Sequence, residues 1–287
     1  MTTYKLLIRK FFQDRNGVIA LIILSILFVA AIIPSSLAPH PDDFGATINP
    51  RERLEAPSPK HLCGTDHMGR DIFSRLIGGA RVSLMLCGIA TGSALLIGTL
   101  VGLIAGYYEG WIGLLLMRIS DIFVSLPQIV MALVIVAALG AGIKNAILAL
   151  AVTYWPFWSR VVYADVISIK KSPFIEAAKA LGTGTTRIMF LHILPNIVPN
   201  IIIRSTIGMG GTILTAAVLS YVGLGAQPPI SDWGLDLSSS RAYLPTAWWY
   251  ALFPGLAIFL AVMAFNMAGD TLRDVLDPKL RRSRKET

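Results

Sequence analysis

The sequence predicts an all-α integral membrane protein with six transmembrane helices. Of its 287 residues, 54% are hydrophobic and 15% are charged, and the mean hydropathy is +0.65. A soluble globular domain has about a quarter of its residues charged. Six windows of about 20 residues are almost free of charge, the length needed to cross the hydrocarbon core of a bilayer. The two cysteines, Cys63 and Cys87, are too few for a disulfide framework or a thiolate metal cluster.

The predicted spans follow one another along the chain, at 18–38, 82–107, 122–142, 145–164, 205–224 and 247–269. The first follows a leader, 1–17, with four basic residues. This apolar run is longer than that of a signal peptide and no cleavage site follows it, so we expect a transmembrane helix. The fourth contains Arg160 four residues from its end, where the guanidinium can extend to the interface.

Small residues and prolines indicate how the spans pack. The second span carries small-residue stripes at Gly88 and Gly92 and again at Gly98, Gly102 and Gly106. Such stripes allow helix backbones to approach closely in lipid. We expect them to pack within the chain, and the alternative is a seam with a second subunit. Pro127 and Pro156 are expected to interrupt the third and fourth spans.

The distribution of basic residues predicts the orientation. Six spans place both termini on one side, and if that side is the cytoplasm, 17 of the 25 Lys and Arg residues lie inside. The cytoplasmic segments are then the leader, a loop at 165–204 and a basic tail at 270–287, and the outer segments are 39–81 and 225–246. The basic charge flanks membrane spans, which indicates membrane lipid and not nucleic acid as its partner.

The cytoplasmic loop contains a stretch typical of a helical hairpin, SPFIEAAKALGTGTTRIMFLHILPN, residues 172–196. It opens with a favourable N-cap, Ser172, and a proline suited to the first helical position. Gly182 can end this helix in the left-handed conformation. One face is expected to carry its apolar residues, Phe174, Ile175, Ala178 and Leu181. A second helix, capped by Thr185, is expected to end at Pro195.

The hairpin resembles the EAA loop of permeases of ATP-binding-cassette (ABC) importers. The matching letters are E-A-A at 176–178, Gly182 and L-P at 194–195, whereas His192 stands where the pattern has isoleucine. In that family the hairpin docks on the ATPase subunit. The resemblance implies ATPase-coupling residues at Phe174, Ile175, Glu176, Ala177, Ala178 and Gly182. From amphipathicity alone, the alternative is a hairpin that packs only against its own bundle.

Two further segments carry the resemblance. GTDHMGRDIFSR, 64–75, resembles the entry signature shared across the oligopeptide and dipeptide branch of these permeases. GLGAQPP and FNMAGDTLRDVLDPKL resemble the C-terminal half of its "C"-type subunit. The resemblance runs from about 62 to 280. It implies the six-helix transmembrane domain of type I ABC importers, the MetI-like fold, with a permease core at 82–269.

The outer segment also admits a reading from its residues alone. Asp66 with Arg70, and Asp71 with Arg75, are spaced for helical ion pairs. A different reading recruits mixed donors as transition-metal ligands, namely His61, Cys63, Asp66, His67 and Met68. These donors have no dedicated spacing, so we expect a structural role and no metal site.

The sequence contains no recognisable source of energy for transport. It lacks the phosphate-binding pattern G-x-x-x-x-G-K-S/T, and its spans hold almost none of the ionisable groups that ion-driven transporters use. We therefore expect no enzyme activity and no cofactor in this chain, with ATP and Mg²⁺ bound by partner subunits. A stand-alone secondary transporter or channel would need a polar site or inverted repeats, and a membrane enzyme would need converging titratable groups.

The resemblance also implies partners and cargo. The partners are a second permease subunit in a heterodimer, two ABC ATPase subunits and an extracytoplasmic substrate-binding protein, at the bacterial inner membrane. The cargo implied is a dipeptide or oligopeptide, and the alternative is nickel or a metal chelate. Transport would proceed by alternating access, with the hairpin transmitting closure of the ATPases.

Overall fold

The computed structural model describes residues 11–276, so leader residues 1–10 and tail residues 277–287 lie outside it. The long helices are α1 (Arg15–Ile32), α3 (Ile72–Tyr108), α6 (Ile143–Lys170), α9 (Leu194–Tyr221) and α11 (Trp248–Leu276). The shorter ones are α2 (Pro34–Leu37), α4 (Gly110–Val124), α5 (Gln128–Leu139), α7 (Pro173–Ala180), α8 (Thr185–Arg187) and α10 (Trp233–Ser240). Within the described residues no strand forms beyond an isolated antiparallel bridge between Thr65 and Asp71.

Length and apolarity identify four helices able to cross a membrane. These are α1, α3, α11 and the continuous helix Thr185–Tyr221, which contains α8 and α9. The pair α4 and α5 is a fifth candidate if it is counted as one bent span. The predicted fourth span lies in α6, whose 28 residues extend about 42 Å but which this criterion does not include. The number of six spans and the cytoplasmic side of both termini therefore stay predictions.

The third predicted span, 122–142, is wrong as a single helix. α4 and α5 are bent by 86° at the break between them. Pro127 lies in this break, where it lacks an N–H to donate and disfavours helical backbone in the preceding residue. Pro156, by contrast, lies buried inside α6 without ending it, so the expected interruption there is wrong. Packing of α6 against α3 on both sides of Pro156 maintains the helix.

The long helices extend beyond the apolar windows. α3 begins at Ile72, so the last part of the predicted outer loop 39–81 is helical. The predicted cytoplasmic loop 165–204 likewise begins inside α6 and ends inside α9. Hydropathy windows detect only the part of a helix that lies in hydrocarbon, and these helices continue into the polar layers.

The first and last long helices lie side by side. Thr271 Oγ1 donates a hydrogen bond of 2.7 Å to Asp14 Oδ2, which precedes α1 as its N-cap. The start of α1 and the last turns of α11 therefore lie at the same end of the bundle.

Glycines allow α3 to pack closely along α6. A Cβ on Gly98 would lie 2.4 Å from Trp158 Cβ, and one on Gly102 would lie 2.5 Å from the carbonyl oxygen of Ser159. Neither distance is possible without a shift of the neighbouring helix. The second stripe thus packs internally, as the sequence predicts. Gly88 and Gly92 have open space at their Cβ positions, which leaves the alternative of a subunit seam open for that pair.

Replacing Gly98 with alanine is expected to destabilise the protein by about 1–3 kcal/mol, because the added methyl group overpacks the α3–α6 contact. The measurement is the thermal unfolding midpoint of the purified protein in detergent. Gly88→Ala is the matched control, since it adds the same methyl group to the same helix in open space. An equal midpoint for the two variants would contradict the packing argument.

Three buried clusters hold the helices together. The central cluster joins α3, α5, α6, α9 and α11 around Leu86, Leu150, Ile213 and Phe265. The second lies at the hairpin end and includes Leu103, Val162, Ile175, Ile188 and Ile193. The third lies at the opposite end, beside the N-terminus of α3, and includes Cys63, Ile72, Trp249 and Tyr250. The hairpin at 172–196 lies beside the second cluster, and the charged segment 64–75 lies beside the third.

Candidate functional site

The predicted hairpin forms, and its first helix has the expected ends. Pro173 occupies the first turn of α7, and Ser172 is the N-cap residue, although its side chain makes no capping bond. At the other end Gly182 has φ +75, in the left-handed region. Its N–H donates to Lys179 O at 2.9 Å, and Thr183 N–H donates to Ala178 O at 3.0 Å. These two bonds are the Schellman motif, which closes the helix with a sharp reversal.

The apolar residues of α7 lie within about 120° of one another around the helix axis, as their spacing requires, but only part of this face is buried. Ile175 and Ala178 are buried against the bundle, and Ile175 has no exposed surface. Phe174 and Leu181 are 46% and 85% exposed, and Ala177 is exposed between them. The inward pair is spaced by three residues, and the outward residues are spaced by three and four, so two neighbouring stripes run along one short helix.

The structure thus divides the six predicted coupling residues. Ile175 and Ala178 attach the hairpin to its own bundle and are not available to a partner. Phe174, Glu176 and Ala177 are exposed on α7, and Gly182 is exposed in the turn. Leu181, which belongs to the same outward stripe, is absent from the set implied by the resemblance. In the sequence, its position seven residues after Phe174 indicates that both side chains lie on the same side of the helix.

The second arm of the hairpin differs from the prediction. Gly184, not Thr185, is its N-cap, and the helix does not end at Pro195 but continues into α9. A π-helical turn at Ile188–Ile193 precedes the proline, and Leu194 N–H donates to Met189 O across it. The wider turn accommodates a residue that lacks an N–H and whose ring would clash in a regular α-helix. The hairpin is therefore continuous with a membrane-spanning helix.

A second connection joins the hairpin to the corner between α3 and α4. Lys170 Nζ donates to Tyr107 O at 2.5 Å and lies 3.0 Å from Glu109 Oε1. The hydrogen bond that Lys170 donates to Glu109 Oε1, together with the lysine's charge, lowers the pKa of the Glu109 carboxyl. Lys179 Nζ lies 5.9 Å from the centre of the Tyr107 ring. The partners are more than 60 residues apart in the chain, so no local spacing predicts this contact.

Glu109 itself has an unusual backbone. Its φ is +50, which is uncommon for a residue other than glycine. The residue ends α3 and begins the turn into α4. A strained corner held by one lysine is typical of a position where two elements change their relative orientation.

The end of the bundle opposite the hairpin contains a network of buried ion pairs. Asp66 and Arg70 pair at 2.7 Å, although both lie in the turn before α3 and not in the helix that their spacing predicts. The predicted pair of Asp71 with Arg75 is wrong, because Arg75 Nε donates to Asp236 Oδ1 of α10 at 3.0 Å. Asp71 instead caps α3 by accepting from Ser74 N–H. An N-cap residue lies outside the helix, so the i, i+4 geometry of two helical residues does not apply to it.

Within residues 11–276, the mixed donor set considered from sequence is not gathered into one group of possible ligands. The carboxylate of Asp66 is occupied by Arg70, and His67 Nδ1 lies 3.1 Å from Tyr250 Oη. Burial raises the pKa of the Cys63 thiol to about 11, so the thiol stays protonated at neutral pH. A protonated thiol is a poor metal ligand.

Two family models match this chain, and one solved structure shares its fold. Residues 98–282 match the model of the "Binding-protein-dependent transport system inner membrane component", and 2–57 match that of the "N-terminal TM domain of oligopeptide transport permease C". A solved chain from the MetNI methionine ABC transporter has a TM-score of 0.59 at 21% identity, covering 71% of this chain and 97% of that one. This likeness confirms the predicted all-helical, MetI-like fold class.

Curated relatives match nearly the whole chain. A dipeptide transport system permease protein DppC of Alkalihalophilus pseudofirmus is 46% identical over 94% of this chain and 88% of that protein. A glutathione transport system permease protein GsiD of Pectobacterium atrosepticum is 40% identical over 95% and 90%. A di/tripeptide transport system permease protein DppC of Pseudomonas aeruginosa is 40% identical over 91% and 86%. This chain therefore belongs to the family of inner-membrane permease components of binding-protein-dependent ABC transport systems.

Proposed function

We propose that this chain forms half of the translocation path of an ATP-driven importer of dipeptides or oligopeptides. The relatives described above are named for dipeptide, di/tripeptide and glutathione transport, and glutathione is itself a peptide. None of these three is named for nickel, so peptide is the cargo that the comparisons favour. The chain has no catalytic role in this proposal, and it binds no cofactor. ATP and Mg²⁺ belong to the ATPase partners.

The exposed stripe of α7 carries the proposal. Phe174, Ala177 and Leu181 present an exposed apolar strip beside the stripe of Ile175 and Ala178 that is buried in the bundle. An amphipathic helix with such a strip fits a groove on a partner, with the large side chains as anchors and Ala177 allowing close approach. Glu176, exposed beside the strip, offers a carboxylate to the same partner. The partner is an ABC ATPase subunit.

Two rigid connections transmit movement of α7 in this mechanism. One runs through the Schellman turn at Gly182 into α8, the π-helical turn and α9. The other runs through Lys170 and Lys179 to the corner at Tyr107 and Glu109, and so to α3 and α4. Closure of the ATPases displaces α7, and these connections convert the displacement into a change of the angle between spanning helices. The free energy for this change of angle arises because the ATPase subunit contacts one conformation of the permease more favourably than the other.

The remaining partners take the remaining faces in the proposal. The open side of α3 at Gly88 and Gly92 suits a second permease subunit, because small residues allow close helix approach in lipid. The end of the bundle that carries the Arg75–Asp236 pair faces the extracytoplasmic binding protein. The assembly comprises two permease subunits, two ATPases and one binding protein.

Crosslinking from the outward stripe tests the proposal. Leu181→Cys is expected to crosslink to an ATPase subunit in membranes from cells that express the whole transporter. Cys63 and Cys87 are buried, so background reaction at the native thiols is low. Ile48→Cys is the matched control, because Ile48 is 64% exposed in the loop that precedes α3. Absence of an ATPase crosslink from Leu181→Cys, or peptide uptake by this chain alone in liposomes, would refute the proposal.

A further inference from the structure

A group of metal-ligating side chains lies beside the ion-pair network at the N-terminus of α3. Three residues, His40, His61 and Asp71, each offer one donor atom, and these three atoms lie within 4.8 Å of one another. His61 and Asp71 are 2% and 1% exposed, and His40 is half-buried. The centres of the two imidazole rings are 5.2 Å apart. Neither the family resemblance nor the proposed transport function assigns a role to this group.

Hydrogen bonds orient the three residues before any ligand is bound. Asp71 Oδ2 accepts from both the N–H and the hydroxyl of Ser74, each at 2.8 Å. This leaves Oδ1, which lies 2.9 Å from His61 Nδ1. The backbone N–H of His40 donates to the same Ser74 hydroxyl at 3.0 Å. One serine therefore holds two of the three residues, and a preformed site loses less entropy when an ion binds.

The group lies in a region with an excess of buried negative charge. Asp71 N–H donates to Asp43 Oδ2 at 2.8 Å, so two carboxylates, 1% and 4% exposed, are neighbours. Within residues 11–276 neither carboxylate has a Lys or Arg nitrogen within 4 Å, because the nearby guanidinium groups pair with Asp66 and Asp236. Two adjacent buried carboxylates need a cation or a proton to compensate their negative charge. One divalent ion compensates the charge of both carboxylates.

The second nitrogen of His61 is also unexplained by the protein alone. Nε2 is buried and has no hydrogen-bond partner within residues 11–276, yet it lies 3.4 Å from Glu52 Oε2. If Nδ1 binds a metal ion, the proton of the neutral ring is on Nε2, facing this carboxylate. A carboxylate behind a metal-bound histidine is the usual arrangement in metal sites, where it fixes the tautomer and raises the basicity of the ligand.

We propose that His40, His61 and Asp71 bind a divalent transition-metal ion of the zinc class. Two imidazole nitrogens and one carboxylate oxygen match its ligand preference, and water completes a four-coordinate site. His40, the half-buried ligand, is the one with room to move toward the ion. The bound ion ties together three segments that are distant in the chain: the loop after α2, the loop at residue 61 and the start of α3.

Metal analysis of the purified transporter tests the proposal. The complex carries an affinity tag without histidines, so that the tag binds no metal. It is stripped of metal with EDTA, equilibrated with ZnCl₂ and desalted. Its zinc content is then measured by mass spectrometry. We expect about one zinc ion per chain in the wild type and loss of that ion in His40→Ala. His67→Ala is the matched control and is expected to retain the ion. Its imidazole is on the same side of the molecule but contacts Tyr250.

Two further measurements separate binding from folding. His40→Ala retains the Asp71 cap and the His61–Asp71 contact, so its unfolding midpoint without zinc is expected to equal that of the wild type. Zinc is expected to raise the wild-type midpoint by about 5 °C and to leave the His40→Ala midpoint unchanged. No zinc in the wild type above the His40→Ala level, or equal zinc in the His40→Ala and His67→Ala proteins, would overturn the proposal. Either result stands whether or not the chain imports peptides.

Discussion

Replacing Gly182 with valine is expected to reduce ATP-driven uptake about tenfold, while the transporter still assembles. Gly182 has φ +75, and a residue with a Cβ pays about 1–2 kcal/mol to adopt this conformation, with a β-branched side chain at the upper end. The Schellman turn is then populated less, and α7 is no longer held at a fixed angle to α8 and α9. The measurement is uptake of labelled dipeptide by proteoliposomes that contain the whole complex and its binding protein, alongside ATP hydrolysis.

The control for this experiment lies two residues away. Gly184 has φ −64, and a Cβ at either glycine meets no atom within 4 Å. Gly184→Val therefore adds the same side chain to the same exposed turn without left-handed strain, and its uptake is expected to stay near that of the wild type. Equal uptake by the Gly182→Val and Gly184→Val proteins would show that the geometry of this turn has no part in coupling.

Replacing Asp236 with alanine is expected to destabilise the protein by about 3–5 kcal/mol, or roughly 10 °C in unfolding midpoint. The Arg75 side chain is 3% exposed, and Asp236 is its carboxylate partner in α10. Without Asp236 the guanidinium keeps hydrogen bonds to the carbonyl oxygens of Asp43 and Ile230. The nearest remaining carboxylate is Asp66, which is 3.9 Å away and already paired with Arg70, so the buried charge is poorly compensated. The measurement is thermal unfolding of the purified complex in detergent.

Two variants identify the cause of the expected loss. Asp121→Ala makes the same substitution in an exposed pair with Arg160, where both side chains are about half exposed. Such surface pairs contribute under about 1 kcal/mol, so little change is expected. The double variant Arg75→Met with Asp236→Leu is expected to recover most of the stability, because it removes both buried charges. A midpoint for Asp236→Ala equal to that of Asp121→Ala would contradict the argument.

The class of fold and the hairpin were predictable because their causes are local. Long apolar runs identify spanning helices, since burial of a backbone in lipid requires helical hydrogen bonding within each segment. The end of α7 at Gly182 follows from the permissive backbone of glycine. Each of these features depends on residues within one or two helical turns.

Three features could not be predicted because their causes are not local. Ile175 and Phe174 are equally apolar, and only the position of the bundle decides which of them is buried. Arg75 has an acid four residues before it, yet it pairs with Asp236, which is 161 residues away. Pro195 lies within a continuous helix because the π-helical turn before it changes the register of the hydrogen bonds.

The sequence by itself determined that this chain is a helical membrane protein, and its motifs identified an importer permease with a helical hairpin. Composition and short-range spacing suffice for this, because lipid and helix geometry constrain every segment independently. Only the tertiary structure decided which side of the hairpin is free for a partner, which charges compensate one another, and that His40 lies beside His61 and Asp71. Those relations join residues from separate helices and loops, and the packing of the bundle alone sets their distances.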